Sequence, residues 1–121
     1  MKGSFVHEQA IDELAGAFRR QRVRTARQVL VNHGGRKGFI DLVAYTPAGT
    51  IAVELERSPA RVDRDLSKGM DIGAQRLWIV VPNRRVAIGV KSRLAALGVR
   101  ENKFLSVFTI PEAIQAVTAF R

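Results

Sequence analysis

The sequence predicts an α/β fold in which one mixed sheet is flanked by helices on both faces, with elements in the order α-β-β-β-α-β followed by α-β-α. Three observations carry this. Gly38 to Tyr45 and Ile51 to Arg57 are two arms rich in β-branched and apolar residues, joined by Thr46-Pro47-Ala48-Gly49, whose Pro second and Gly fourth suit a type I turn. Leu77-Trp78-Ile79-Val80-Val81 is an unbroken apolar run ahead of Pro82-Asn83, the pattern of a central strand covered on both faces. Helix-spaced apolar residues alternate with these strands, with no linker, repeat or low-complexity stretch between them.

Taken in order, Ser4 can cap a first helix from about Phe5 to Arg20, whose apolar stripe is His7, Ala10, Ile11, Leu14, Ala17 and Phe18. A strand of roughly Val23 to Asn32 follows, ended by His33-Gly34-Gly35, and then the hairpin. Ser58-Pro59 starts a helix, cap followed by proline in the first turn, with Val62, Leu66, Gly69, Met70 and Gly73 as its buried stripe and an end near Ala74. After the central strand, Val86 to Leu97 reads as a helix interrupted in propensity by Gly89. Phe104 to Phe108 is a last short strand, and Pro111 opens a terminal helix reaching Phe120.

The hairpin carries acids where core residues belong. If Thr46 and Gly49 close the turn, Asp41 faces Glu54, and alternation sorts the side chains. Ile40, Leu42 and Ala44 join Ile51, Val53 and Leu55 on one apolar face, while Asp41, Glu54 and Glu56 share the other. Opposed Cβ atoms lie roughly 5 Å apart, where like charges repel and one acid is normally kept protonated. Two readings are open. The acids are either on a solvated sheet face, each paired with one of the arginines, or they hold a divalent cation such as Mg²⁺, which takes oxygen ligands from one or two carboxylates.

Composition bounds the partner. At 121 residues, with 46% hydrophobic and 26% charged residues, the chain fits one globular domain. It has no run long enough for a membrane span and no signal-like start, so a cytoplasmic protein without membrane partner is expected. With no cysteine there is no disulfide, thiol catalysis or cysteine zinc site. Lys and Arg number 20 against 11 Asp and Glu, a formal charge of +9, which points to a polyanion; arginine dominates, as suits phosphate forks. Gly34-Gly35-Arg36-Lys37-Gly38 joins two strands and precedes no helix, so it is a basic loop rather than a P-loop. His7 reads as a partly buried core histidine, His33 as a loop residue able to meet DNA, and Trp78 as core. Aromatic content of 7% leaves no stacking platform for single strands.

An α-β-β-β-α-β core with an Asp on the second strand and an acidic motif on the third resembles the PD-(D/E)xK phosphodiesterase superfamily of restriction endonuclease-like enzymes. In size and layout the chain is most similar to the small Holliday junction resolvase-type nucleases. The resemblance covers roughly Glu8 to Val81. It implies a restriction endonuclease-like αβββαβ core, with Asp41 as the motif's aspartate, Glu54 as its acidic metal ligand, the Leu55 carbonyl as backbone ligand and Glu8 as the further acid of the first helix. Glu56 stands where the family has lysine; a carboxylate there acts as general base or as another metal ligand. Lys68 is a substitute lysine on the following helix, yet on a helical wheel it lies nearly opposite the Val62-Leu66-Met70 stripe, which favours a solvated or DNA-contacting role.

The expected function is therefore a Mg²⁺-dependent (or Mn²⁺-dependent) DNA endonuclease, structure-specific in the manner of a junction resolvase, with no small-molecule cofactor. Asp41, Glu54, Glu56 and Glu8 form the catalytic set, and Asp41, Glu54 and Leu55 hold the metal. Arg36, Lys37, Arg57, Arg61, Arg64 and Lys68 contact DNA. Cutting both strands needs two sites, hence a homodimer. The alternative is a non-catalytic DNA-binding protein that keeps the nuclease-like fold, and an RNA-directed hydrolase is a third reading.

Overall fold

A computed structural model describes residues 2–33 and 35–119 of the chain, with side chains described from residue 7 onward except at 33. The Ser4 side chain, Gly34 and the expected helix end at Phe120 lie outside the described residues. The elements are α1 (Lys2–Arg20), β1 (Arg24–His33), β2 (Arg36–Thr46), β3 (Gly49–Leu55), a 3₁₀ turn (Pro59–Arg61), α2 (Val62–Asp71), β4 (Arg76–Val81), α3 (Arg84–Ala96), β5 (Leu105–Thr109) and α4 (Ile110–Thr118). This is the expected order. Helix α1 starts at Lys2, ahead of the expected cap at Ser4.

The five strands lie in sequence order, antiparallel from β1 to β3 and parallel from β3 to β5. Around the turn the β2–β3 register is the one the sequence predicts, from Thr46↔Gly49 to Leu42↔Val53. Gly49 has φ 125°, which a side chain rarely adopts. Helices α1 and α4 cover one face, with Leu14, Phe18, Leu42, Val53, Trp78, Val80 and Val117 buried together. Helices α2 and α3 cover the other over Ile40, Val43, Ala52, Val62, Leu77, Ile79, Val90 and Leu105. Strand β4 contributes to both, as its continuous apolar run requires. Trp78 is core: its ring stacks on Phe18 at 5.8 Å and meets Phe108 edge-on at 5.2 Å, pairs worth about 1 kcal/mol each beyond area.

Helix starts follow local capping. The Ser58 hydroxyl accepts from Ala60 N in the 3₁₀ turn, so α2 begins three residues later than a simple Ser-Pro start would give. Asn83 Oδ1 accepts from Val86 N at 3.0 Å, which pulls the start of α3 back to Arg84. Gly89 belongs inside α3 because a Cβ there would sit 2.8 Å from Pro59 Cγ. Thr109 and Glu112 form a reciprocal capping box on α4.

Two expectations need correction. Strict alternation puts Ile40 with Leu42 and Ala44, but Ile40 packs with Val43, Ala52 and Val31 on the α2 side. The cause lies at one position of the ladder: β1–β2 pairing runs from Arg24↔Tyr45 to Arg27↔Leu42 and resumes at Val29↔Ile40. Gln28, the residue facing Asp41 in that register, has φ 52°. A left-handed residue in a strand turns the chain, so the sheet faces exchange there. Beyond Leu42 the outer part of β2 is laddered to β1 alone, and the hairpin end projects as a two-stranded ribbon along α2. The second correction concerns α2, whose buried residues are Val62, Asp65 and Gly69, whereas Met70 is 68% exposed. The helix is rotated from the orientation its apolar residues predict, so that a carboxylate faces inward.

Candidate functional site

Where β2 and β3 stop pairing, the two acids take over their backbone amides. Asp41 N donates to Glu54 Oε1 at 2.9 Å, and Leu55 N donates to Asp41 Oδ2 at 2.9 Å. The carboxylates thus fill the gap in the ladder from opposite sides. Glu54 is 1% exposed, so its charge has little water around it. Burial, and then the charge of Asp41, push its carboxyl above the usual range, while Lys68 acts in the other direction.

Rotation of α2 supplies that lysine. Lys68 Nζ forms an ion pair with Glu54 Oε2 and donates to the Phe39 carbonyl at 2.9 Å, tying α2 to both strands of the site. The expectation of a solvated Lys68 is corrected: its side chain is only 17% exposed. The wheel misled because its stripe ran from Val62 through Leu66 to Met70; with Val62, Asp65 and Gly69 inward, Lys68 comes to the flank of the buried face. No arginine pairs with Asp41 or Glu54 among the described residues.

Asp65 is a site residue that the sequence did not announce. It is 3% exposed, and its carboxyl lies against those of Glu54 and Glu56, to which it donates a hydrogen bond when protonated. Burial first, then the charges of Glu54 and Glu56, push its carboxyl up to about 11, so it stays protonated at neutral pH. Its i, i+3 spacing from Val62 on a helix that follows an acidic strand was the available signal. Glu56 is half-buried; desolvation raises its carboxyl, and Asp65, Lys68 and Arg61 oppose the shift.

From the first helix it is His7, rather than Glu8, that reaches in. His7 Nε2 lies 3.3 Å from Asp41 Oδ2, and Nδ1 lies 4.0 Å from Glu8 Oε1. The Glu8 side chain is 61% exposed and is not among the residues that line the cleft.

These groups open into a cleft of about 1010 Å³. Its lining holds Asp41, Glu54, Leu55 and Glu56, and also Arg36, Lys37, Arg57, Arg61, Arg64 and Lys68. Every basic residue expected to contact a polyanion is therefore on the wall of the cavity that holds the acids. The same lining also carries Asp63 and Asp65, so basic and acidic side chains face one cavity. Among the described residues no group of three or more His, Cys, Asp or Glu is arranged to hold a metal ion. The oxygen donors at this point of the cleft are the Asp41 and Glu54 carboxylates beside Leu55; Asp41 Oδ2 and Glu54 Oε1 accept backbone N–H bonds, and Glu54 Oε2 is paired with Lys68.

No protein-family model matches the chain, and no curated protein is similar to it. The chain is similar to the crystal structure of a protein of unknown function, AF1548, at 15% identity and a TM-score of 0.53 over 81% of its length. It spans 57% of that chain. The likeness is one of fold, an α/β arrangement with a five-stranded mixed sheet and four helices.

Proposed function

We propose that this chain is a divalent-metal-dependent endonuclease that hydrolyses phosphodiester bonds in DNA, on a restriction endonuclease-like core of the PD-(D/E)xK kind. The observation that carries the reading is the Lys68–Glu54 pair beside Asp41. An acid, a second acid and a lysine converge although Glu56 occupies the lysine's usual place in sequence. The six basic residues around the same cleft support a polyanionic substrate.

Asp41, Glu54 and the Leu55 carbonyl would hold Mg²⁺ or Mn²⁺, which supplies Lewis-acid polarisation of the phosphoryl group when bound. Arg36, Lys37, Arg57, Arg61 and Arg64 hold the flanking phosphates and set the register of the strand. Lys68 Nζ, held by Glu54 and the Phe39 carbonyl, orients the attacking water and offsets charge developing on the phosphoryl oxygens. Glu56, whose carboxyl is raised by burial, accepts the proton of that water at its carboxylate oxygen. Asp65 keeps its own proton, which limits the negative charge next to Glu54 and Glu56. Cutting both strands calls for two copies of the site, and so for a homodimer.

The test is incubation with supercoiled plasmid and with a synthetic four-way junction, in Mg²⁺, Mn²⁺ or EDTA. The wild type gives cation-dependent products, and Glu54→Gln loses about 10²-fold or more of the rate while still binding DNA. A Glu54→Gln protein that cuts as well as its parent contradicts the proposal. A rival reading, a DNA-binding protein without chemistry, is favoured by the engagement of both Glu54 oxygens, Oε1 by Asp41 N and Oε2 by Lys68 Nζ. It predicts salt-sensitive binding with no products in any cation, and RNA in the same assay distinguishes an RNA-directed hydrolase.

A further inference from the structure

The projecting ribbon has one covered face and one bare one. Val29, Val31 and Ile40 pack toward α2, so the residues between them point the other way. Leu30 and Phe39 are directly paired across the strands and are 56% and 52% exposed, although apolar side chains of this size are usually buried. The strand from Phe39 leads straight to Arg36 and Lys37 on the cleft wall in one direction and to Asp41 in the other. The Phe39 carbonyl is held by Lys68 Nζ, the same atom that pairs with Glu54. The exposed ring is thus tied, through its own backbone, to the acid site. Two residues of strand separate it from Asp41, roughly 7 Å.

Resting on the nuclease reading, we infer that Leu30 and Phe39 form an apolar wedge for an unstacked DNA base next to the phosphate held in the cleft. The occupant follows from what surrounds the pair. An apolar surface bordered by phosphate-binding cations suits a ligand with a flat apolar face and an anionic backbone, which is a nucleotide. A two-stranded ribbon has the dimensions to enter a groove, and Phe and Leu are the side chains that proteins insert at unstacked steps. In a continuous duplex the wedge must first unstack a base step, at a cost of about a few kcal/mol, which DNA with a weakly stacked base does not impose. The pair therefore selects DNA whose bases unstack at least cost, at a bulge, branch or mismatch.

The test measures binding in EDTA, where no cleavage occurs, by fluorescence anisotropy on a continuous duplex and on the same duplex with a one-nucleotide bulge. A 2-aminopurine placed at the bulge reports unstacking. The wild type is expected to prefer the bulged DNA by on the order of tenfold, about what one stacked base is worth, with a rise in 2-aminopurine emission on binding. Phe39→Ala loses the preference and the rise but binds the continuous duplex as the parent does, and Phe39→Trp keeps both. An unchanged thermal midpoint in Phe39→Ala shows that the fold is intact. The inference is overturned if the wild type has no preference, if Phe39→Ala retains it or weakens both DNAs equally, or if sedimentation shows that Phe39→Ala dissociates a dimer, since the pair would then be a self-association surface. A protein that prefers bulged DNA but never cuts in Mg²⁺ leaves the wedge standing and sinks the nuclease; one that cuts without preference does the reverse.

Discussion

Glu54 is buried and ion-paired with a single cation, Lys68, so the two side chains stand or fall together. Lys68→Met leaves an uncompensated buried carboxylate and is expected to cost on the order of 3 kcal/mol at pH 8 by urea unfolding. The loss is expected to be smaller at pH 5 than at pH 8, because burial raises the Glu54 carboxyl and makes it easier to protonate as pH falls. An equal loss at both pH values would contradict the pairing. Asp65 gives the opposite signature. The folded chain keeps a proton that the unfolded chain releases near 3.8, so this group lowers stability progressively as pH rises from about 4 toward its folded value of about 11. In EDTA, Asp65→Asn should flatten that slope, by up to about 1.4 kcal/mol per pH unit, and raise the unfolding midpoint at pH 8 more than at pH 5. A variant with the parent's pH profile would place Asp65 in water rather than beside Glu54 and Glu56. Asp41 and Glu54 were legible in the sequence because an acid in mid-strand breaks a period-two apolar pattern. Asp65 was not, since on an exposed-looking helix one more acid is ordinary.

Among elements, the β2–β3 hairpin was readable from Thr46↔Gly49 to Leu42↔Val53 because the turn Thr46-Pro47-Ala48-Gly49 fixes the register; beyond Leu42 the expected ladder gives way to the two carboxylates. The β1–β2 ribbon was not, because its change of face depends on Gln28 at φ 52°, a backbone state with no sequence signature in a residue other than Gly or Asn. Gln28→Gly should relieve that conformation and stabilise the protein by about 0.5–1 kcal/mol, against the loss that glycine causes in a regular strand. A destabilised Gln28→Gly would mean that β1 runs straight past Asp41. The rotation of α2 was hidden for a related reason: the spacing of apolar residues locates the face that a helix turns toward an apolar core, and this helix packs partly over an acid cavity. Gly89 makes the same point from the other side. By propensity Gly89→Ala strengthens α3, but here its Cβ meets Pro59, so a net loss of about 1–2 kcal/mol is expected in thermal unfolding.

At the scale of the whole molecule, a formal charge of +9 surrounds a cleft whose floor is acidic. That arrangement makes sense if a cation joins the floor to a polyanion held by the walls. The order of elements, a mixed sheet with helices on both faces and the charge balance were legible in the sequence, since they follow from apolar periodicity and counting; the order of strands within the sheet was not. The cleft itself was not, because it depends on the ribbon's change of face and the setting of α2. The most direct measurement is anomalous diffraction from a crystal soaked in Mn²⁺. The account predicts a peak within coordination distance of the Asp41 and Glu54 carboxylates and the Leu55 carbonyl, absent in Glu54→Gln crystals. A map with no peak there, at a concentration that fills other sites, with Lys68 still paired to Glu54, would contradict it.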